Sequence, residues 1–170
     1  MAGTLLGASS SFTRALHAEG PAPDRSDKMA LYGRFIGRWE FTGTTWARDS
    51  STHQGRGEIH FGWVLEGRAI QDVWILPGVF HGTTLRTYDP GLDAWHILWS
   101  DPLRQYYSRQ IGRARGEDIV QEGRNDAGET TRWSFSEIEH SSFRWRGEVS
   151  HDDGKTWQLE AEFRAKRVRS

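Results

Sequence analysis

From Trp39 onward, apolar residues recur at every second position of the chain. The alternation is clearest over residues 59–65, 95–99 and 143–149, where Trp, Phe, Ile and Val alternate with polar or small residues. A period of two is typical of β-strands with one buried and one exposed face. Turn-forming residues separate these stretches, at Glu66-Gly67, Pro77-Gly78, Asp89-Pro90-Gly91, Asp101-Pro102, Asn125-Asp126-Ala127-Gly128 and Asp152-Asp153-Gly154. The pattern predicts an all-β fold of about ten consecutive antiparallel strands, closed as a single up-and-down barrel.

The segment before these strands has a helical pattern instead. Ser26 can cap a helix, and apolar residues follow at helical spacing, at Met29, Leu31, Tyr32, Phe35 and Ile36. We therefore expect one short amphipathic helix that covers a barrel end as a lid or plug. Residues 1–25 contain only a brief apolar pair, Leu5 and Leu6, which is too short for a signal peptide. We interpret them as a flexible tail, with the barrel domain over residues 26–170.

Composition narrows the classes of function. The 170 residues are 36% hydrophobic but include nine Trp and eight Phe, so a few large aromatic side chains supply much of the burial. The net charge of −1 gives no field that would attract nucleic acid or an anionic membrane. No apolar run approaches the roughly 20 residues of a membrane span. The chain has no Cys, which excludes disulfides and thiolate catalysis and favours a cytoplasmic location.

The last hairpin has a predicted register. A three-residue loop at 152–154 places the apolar residues of both strands on one face. The predicted pairs on that face are Val149 with Trp157, Gly147 with Leu159, Trp145 with Ala161 and Phe143 with Phe163. The opposite face pairs Arg146 with Glu160 and Arg144 with Glu162. This arrangement favours an exposed ladder of ion pairs over a stripe that binds nucleic acid.

Two features near the chain ends resemble lipocalins and related calycins. Residues 35–39, Phe-Ile-Gly-Arg-Trp, match the Gly-x-Trp opening of the first strand in those barrels. In that family the Trp closes one barrel end beneath a basic residue of the final strand. The resemblance therefore implies that Arg164 or Arg167 lies over Trp39.

The order of motifs over residues 28–168 is similar to that of lipocalin-like bacterial domain families of unknown function. The motifs are a helix leading to Gly37-Arg38-Trp39, then Trp63-Val64-Leu65-Glu66-Gly67-Arg68, Thr87-Tyr88-Asp89-Pro90 before a Trp-rich strand, Asp152-Asp153-Gly154-Lys155-Thr156-Trp157, and a basic final strand. The resemblance implies a lipocalin-like, calycin-type barrel. It implies no particular chemistry, because these families have no settled activity.

Residues 150–157 also match the Asp-box turn of sialidase-like propellers, Ser-x-Asp-x-Gly-x-Thr-Trp. That box is structural and repeats once per blade, and one copy cannot build a propeller. We interpret it as a hairpin turn in which Asp152 accepts backbone hydrogen bonds.

The seven His residues are scattered along the chain. No pair has the His-x-His or His-x-x-x-His spacing that places two imidazoles on one face of a strand or helix. No position matches an axial haem histidine of the nitrobindin kind. We therefore predict no metal site and no cofactor.

The middle hairpins carry the polar residues of greatest functional interest. Pairing Tyr88 with Trp95 turns Arg86 inward among the tryptophans. A buried guanidinium needs a partner, and Asp72 also faces inward if Glu66-Gly67 forms a two-residue turn. A three-residue turn would instead place Asp72 outside, and the sequence leaves both alternatives open.

The next pairing extends this interior polar set. Matching Trp95 with Ile111 brings Tyr107 and Arg109 onto the interior face. Two inward arginines and a tyrosine favour an aromatic or planar ligand that carries a carboxylate, phosphate or enolate. The alternative, in which both arginines and Asp72 form a structural ion network, has equal weight.

The sequence thus predicts a barrel that binds a small molecule in an aromatic-rich pocket. The predicted ligand-binding residues are Trp63, Trp74, Arg86, Tyr88, Trp95, Trp99, Tyr107 and Arg109. The alternative is a cofactor-free lyase, isomerase or cyclase, with Asp72 or His96 as general base and Arg86 or Tyr107 stabilising negative charge. An interaction module that acts through an exposed apolar patch is a third hypothesis. The sequence does not determine the oligomeric state, and a homodimer is one of the alternatives.

Overall fold

Ten antiparallel strands form one closed barrel in the computed structural model, which describes Thr13 and residues 16–169. The strands are β1 (Gly37–Trp46), β2 (Thr52–Val64), β3 (Ala69–Leu76), β4 (Phe80–Asp89), β5 (Ala94–Asp101), β6 (Tyr106–Arg115), β7 (Asp118–Asn125), β8 (Thr130–Ser136), β9 (Ser142–Ser150) and β10 (Gln158–Arg167). Each strand pairs with the next in sequence, and β1 closes the barrel against β10. The predicted all-β up-and-down barrel is confirmed. Among the described residues, no helix has the length and apolar character needed to cross a membrane.

A short helix covers one end of the barrel, as its apolar spacing predicts. A 3-10 turn (Pro23–Arg25) leads into helix α1 (Ser26–Gly33). Met29 and Tyr32 of α1 are fully buried in the barrel core. Ser26 is the first helical residue rather than the cap, and no side-chain capping hydrogen bond forms. The helix is therefore held by the burial of its apolar side chains more than by its ends.

The predicted flexible tail lies partly outside the described residues, since 1–12, 14 and 15 are not among them. Within its described part, the Ala18 N–H donates to the Trp63 carbonyl over 2.9 Å, and the Ala22 N–H donates to the Gly67 carbonyl over 2.9 Å. Ala22 is also fully buried. This part of the segment is therefore attached to the barrel.

Trp39 closes the barrel near α1. It is fully buried, and its Nε1 donates to the Phe35 carbonyl over 2.7 Å. The Arg167 guanidinium lies over the Trp39 ring, with Cζ 4.1 Å from the ring centroid. The same guanidinium donates to the carbonyls of Arg34 and Ile36. Arg167 is thus the cation over the indole that the family resemblance implies.

The interior next to α1 is filled by polar as well as aromatic side chains. The Tyr32 hydroxyl donates to Gln121 Oε1 over 3.0 Å. Gln121 Nε2 donates to Gln110 Oε1, and Gln110 Nε2 donates to Thr131 Oγ1. This buried chain of hydrogen bonds ties the helix to β6, β7 and β8.

In the first half of the barrel, the structure decides the β2–β3 register, which the sequence left open, and confirms the predicted β4–β5 register. Phe61 lies opposite Asp72, as the two-residue turn requires, so Asp72 faces the interior. Glu66 and Gly67 both have positive φ, at 54° and 81°, which is the backbone of a tight hairpin turn. The β4–β5 pairing is as predicted, and it turns Arg86 inward.

The predicted β5–β6 register is wrong by one residue. The residue opposite Trp95 is Gly112, one position later than predicted. The cause is the four-residue loop between these strands, where the Asp101 carboxylate accepts two backbone N–H groups. A one-residue change moves every side chain of a strand to the opposite face. Tyr107 and Arg109 are therefore on the outer surface, where both are exposed.

The last hairpin also departs from its predicted register. Trp145 lies opposite Phe163, two residues from the predicted partner. The loop covers residues 151–157 because Asp152 holds it with several hydrogen bonds. Strand β10 then bulges at Glu160, between the two registers of the pairing. Ala161 and Phe163 still face the interior, but Leu159 lies opposite Glu148 of the outer face, contrary to the prediction. Glu160 now faces the interior.

Four arginines on the outer faces of β8, β9 and β10 are paired with carboxylates. The pairs are Arg146 with Glu162, Arg132 with Glu148, and Glu137 with both Arg144 and Arg164. The predicted ion-pair ladder is therefore present, although the changed register gives Arg146 and Arg144 other partners than predicted. Charge compensated in this way does not favour phosphate binding.

Candidate functional site

A cavity of about 490 Å³ occupies the half of the barrel away from α1. It lies between the loops that follow β1, β3 and β5, and its size suits one small molecule. Aromatic rings form a large part of its wall. The principal rings are Trp74, Phe80, Trp99, Trp133, Trp145 and Phe163.

Two inward-facing glycines make room for tryptophan rings that lie along the inner wall of the barrel. A Cβ at Gly82 would collide with the Trp99 ring, and a Cβ at Gly147 would collide with the Trp145 ring. The Trp133 ring lies between these two rings, with centroids 5.9 Å from Trp99 and 5.8 Å from Trp145. The result is a continuous aromatic wall, which suits a flat apolar molecule.

A buried ion pair lies at the inner end of the cavity, which we call the floor. Arg86 donates from Nη1 to Asp72 Oδ2, and Asp72 Oδ1 accepts the Thr84 N–H over 3.0 Å. The guanidinium also lies over the rings of Tyr32 and Phe61, with Cζ 5.1 and 5.5 Å from their centroids. The positive charge is thus balanced by one carboxylate and by the faces of aromatic rings.

Two buried donors at the floor have no partner among the described residues. They are Arg86 Nε and Trp74 Nε1. Both residues line the cavity, and they are only 1% and 5% exposed. Leaving a buried donor unpaired costs about 1–3 kcal/mol, and an acceptor on a ligand would remove that cost. The floor therefore suits a carbonyl, carboxylate or enolate oxygen.

Polar and titratable side chains gather nearer the opening of the cavity. His53, Arg104, Tyr106 and Glu160 all line this outer part, which we call the mouth. Arg104 lies over the Tyr106 ring, with Cζ 5.7 Å from the centroid. Burial raises the pKa of Tyr106 to about 12, so its hydroxyl stays neutral at ordinary pH. Burial and the nearby Glu129 carboxylate raise the pKa of Glu160 above its usual value.

The eight predicted ligand-binding residues fall into three groups. Those that line the cavity are Trp74, Arg86 and Trp99. Those that lie inside the barrel but outside the cavity are Trp63, Tyr88 and Trp95. Those on the outer surface are Tyr107 and Arg109. Alternation indicated most of the inward side chains, but it did not indicate how much of the interior the helix would fill.

The candidate catalytic residues do not converge on the cavity. Asp72 pairs with Arg86 and is not among the residues that line the wall. His96 lies on the outer side of β5, with Nε2 3.1 Å from Asp89 Oδ2, and Tyr107 is also outside. Of the four candidates, only Arg86 reaches the cavity. No cluster of three or more His, Cys, Asp or Glu residues that could hold a metal ion occurs in the described part of the chain.

Several lining residues were absent from the predicted site. Trp145 and Phe163 belong to the face that the last hairpin predicts as buried, so strand alternation was the available signal for them. Trp133 lies in a similar alternating stretch, residues 130–136. Glu160 had no such signal, because it faces inward only through the bulge in β10.

Comparison with known proteins supports the fold but names no activity. No protein-family model matches the chain, and no curated protein matches it significantly in sequence. The solved structure of Rv2717c from M. tuberculosis is similar, with a TM-score of 0.63 and 14% sequence identity, over 88% of this chain and 99% of that one. At this identity the likeness shows a shared barrel fold alone, and it does not confirm membership of the calycin family.

Proposed function

We propose that the protein binds a small planar aromatic molecule in this cavity, with a hydrogen-bond acceptor of that molecule at the floor. The observation that carries the proposal is the pair of unpaired donors, Arg86 Nε and Trp74 Nε1, at the inner end of an aromatic cavity. Because Asp72 already balances the guanidinium, the acceptor needs no full charge. A carboxylate still binds more tightly than a neutral carbonyl, since charge-assisted hydrogen bonds are stronger.

Binding is favoured over catalysis by the placement of the acid–base residues that the sequence predicts. Asp72 is occupied by Arg86 and by the Thr84 N–H, while His96 and Tyr107 lie outside the barrel. A general base must lie within hydrogen-bond reach of the proton that it removes. The candidate bases of the predicted enzyme do not meet that condition here.

The lack of Cys in the sequence supports a cytoplasmic location for this binding protein.

Three naphthalenes of similar shape test the proposal through quenching of tryptophan fluorescence. 2-Naphthoate carries a charged acceptor, 2-acetylnaphthalene carries a neutral acceptor, and 2-ethylnaphthalene carries none. We expect saturable quenching with affinities in that order. The first and last probes should differ by about tenfold or more, the effect of one hydrogen bond to a charged group. Equal affinity for all three probes would contradict the proposal.

A conservative variant tests whether the hydrogen-bond acceptor of the bound probe lies at the floor of the cavity. Trp74→Phe removes the free Nε1 donor but keeps an aromatic ring, so it should weaken binding of the two acceptor probes and leave 2-ethylnaphthalene binding nearly unchanged. Trp99→Phe is the matched control, because it trims another indole of the same cavity whose nitrogen is not a buried unpaired donor. If both variants change the three affinities in the same way, the floor is not the acceptor site. Melting temperatures establish that both variants fold.

A further inference from the structure

The carboxylate side chain of Glu160 lies on the wall of a cavity that is rich in aromatic rings. It lines the cavity beside Ala161 and close to Phe163. Among the described residues, its side chain makes no ion pair or hydrogen bond. Glu162, its neighbour on the same strand, pairs instead with Arg146 on the outer face at 3.3 Å. The two glutamates therefore have the same chemistry but opposite surroundings.

The bulge in β10 is responsible for this difference. Leu159 lies opposite Glu148 and Ala161 lies opposite Gly147, so no residue of β9 is paired with Glu160. An extra residue of this kind bends the strand locally and re-aims a side chain. Glu160 consequently enters the cavity while Ala161 and the residues after it keep their normal alternation.

The charges around Glu160 do not neutralise it. Arg48, Arg104 and His151 favour the carboxylate form, whereas burial and Glu129 oppose it, and the balance raises the pKa of Glu160. Tyr106 and His53 also face this part of the cavity. Arg104, which lines the mouth too, lies over the Tyr106 ring and forms no ion pair with Glu160. An acceptor thus stands at the mouth, while two donors stand at the floor.

We propose that Glu160 is a second ligand anchor, so that the cavity selects planar aromatic molecules with an acceptor at one end and a protonated amine at the other. The inference rests on the proposed function, which supplies the acceptor end. In a partly buried site lined by aromatic rings, an ammonium group donates a charge-assisted hydrogen bond to the carboxylate and also contacts ring faces. This ligand class contains aromatic carboxylic acids and aromatic ketones that carry an amine at the end of the ring system opposite the carboxylate or carbonyl.

The test compares 2-naphthoate with 2-naphthoates that carry an aminomethyl, aminoethyl or aminopropyl group at position 6. At pH 7.5, at least one of the three amines should bind the wild-type protein about tenfold more tightly than 2-naphthoate, or better. Glu160→Gln should abolish that gain and retain 2-naphthoate binding. Glu162→Gln is the matched control and should retain the gain, because its side chain lies outside the barrel.

The outcomes separate this inference from the proposed function. If 2-naphthoate does not bind at all, the proposed function itself fails. If 2-naphthoate binds but no amine improves on it, or if the improvement survives Glu160→Gln, only the role of Glu160 is overturned.

A pH series provides a test that needs no variant to fold. As the pH falls through the raised pKa of Glu160, the advantage of the amine over 2-naphthoate should disappear in the wild-type protein. Both probes carry the same carboxylate, so its own titration cancels in the ratio of their affinities. An advantage that is constant down to pH 4 would overturn the inference.

Discussion

Single buried side chains set both the stability of this barrel and the chemistry of its cavity. Asp72 neutralises Arg86, yet Arg86 Nε stays free. Removing one partner of such a pair leaves an uncompensated buried charge. Removing a large ring such as Trp39 leaves an empty space instead. Both costs can be measured by unfolding in urea, and they have different physical origins.

Arg86→Met should destabilise the protein by about 3–5 kcal/mol, because it leaves the Asp72 carboxylate buried without a counterion. The double variant Asp72→Asn with Arg86→Met should recover part of that loss, since no buried charge remains. Arg146→Met is the control on the outer face, where loss of the Glu162 pair should cost less than about 1 kcal/mol. A double variant less stable than Arg86→Met alone would show that the pair is not the cause.

Trp39→Ala should lower the free energy of unfolding by about 3–5 kcal/mol, the usual cost of deleting a large aromatic ring from a core. Trp39 is fully buried, packs against Phe143 and lies beneath Arg167. Trp46→Ala at the mouth serves as the comparison and should cost less, because that ring is only partly buried. A loss below about 1 kcal/mol for Trp39→Ala would show that the Trp39 ring contributes little to the stability of the barrel.

Loops and one bulge, more than the strands themselves, decide which side chains reach the cavity. The loop held by Asp101 places Tyr106 at the mouth and Tyr107 outside. The loop held by Asp152 lengthens the last hairpin, and the bulge that follows turns Glu160 inward. In both cases a carboxylate that binds backbone N–H groups fixes the geometry of a loop, as carboxylates commonly do in turns.

The loop of Asp152 should make stability depend on pH. Hydrogen bonds from Thr156, Ser150 and the Lys155 N–H lower the pKa of Asp152 to about 2, from an ordinary value of 3.8. Because the folded pKa is the lower one, this carboxylate stabilises the fold fully above about pH 4, and the contribution is lost as the pH falls towards 2. Urea unfolding at several pH values should therefore show wild type and Asp152→Asn converging over that range.

The neighbouring carboxylate gives the control for this experiment. Asp153 is exposed, and within the described part of the chain its carboxylate pairs only with the exposed Arg124, at 2.9 Å. Asp153→Asn should therefore follow the pH dependence of the wild type closely. If Asp152→Asn and Asp153→Asn behave alike, the Asp152 hydrogen bonds do not stabilise the loop.

The whole molecule is divided into a filled half and an open half. Tyr32 of α1 and the hydrogen-bond chain through Gln121, Gln110 and Thr131 fill the end that the helix covers. The other half keeps a cavity of about 490 Å³ between tryptophan rings. The helix thus fills one end of the barrel and leaves the cavity at the other end.

Dialysis against a strong chelator should leave the circular dichroism spectrum and the melting temperature unchanged. The chain has no Cys, and no metal-binding cluster occurs among the described residues, so apolar burial and hydrogen bonds hold the barrel. A fall in melting temperature that zinc or iron reverses would contradict this prediction. A buffer control at the same ionic strength separates metal removal from the effect of salt.

The sequence by itself determined the number of strands, the plug helix and the inward side chains of most strands, Arg86 among them, while it left the orientation of Asp72 open. These features depend on local alternation and on turn residues, which a single chain displays directly. Only the tertiary structure decided that Tyr107 faces outward, that Glu160 faces inward and that Trp95 lies outside the cavity. Register depends on hydrogen bonds within loops, and a cavity is the volume that remains after side chains from many distant strands have packed.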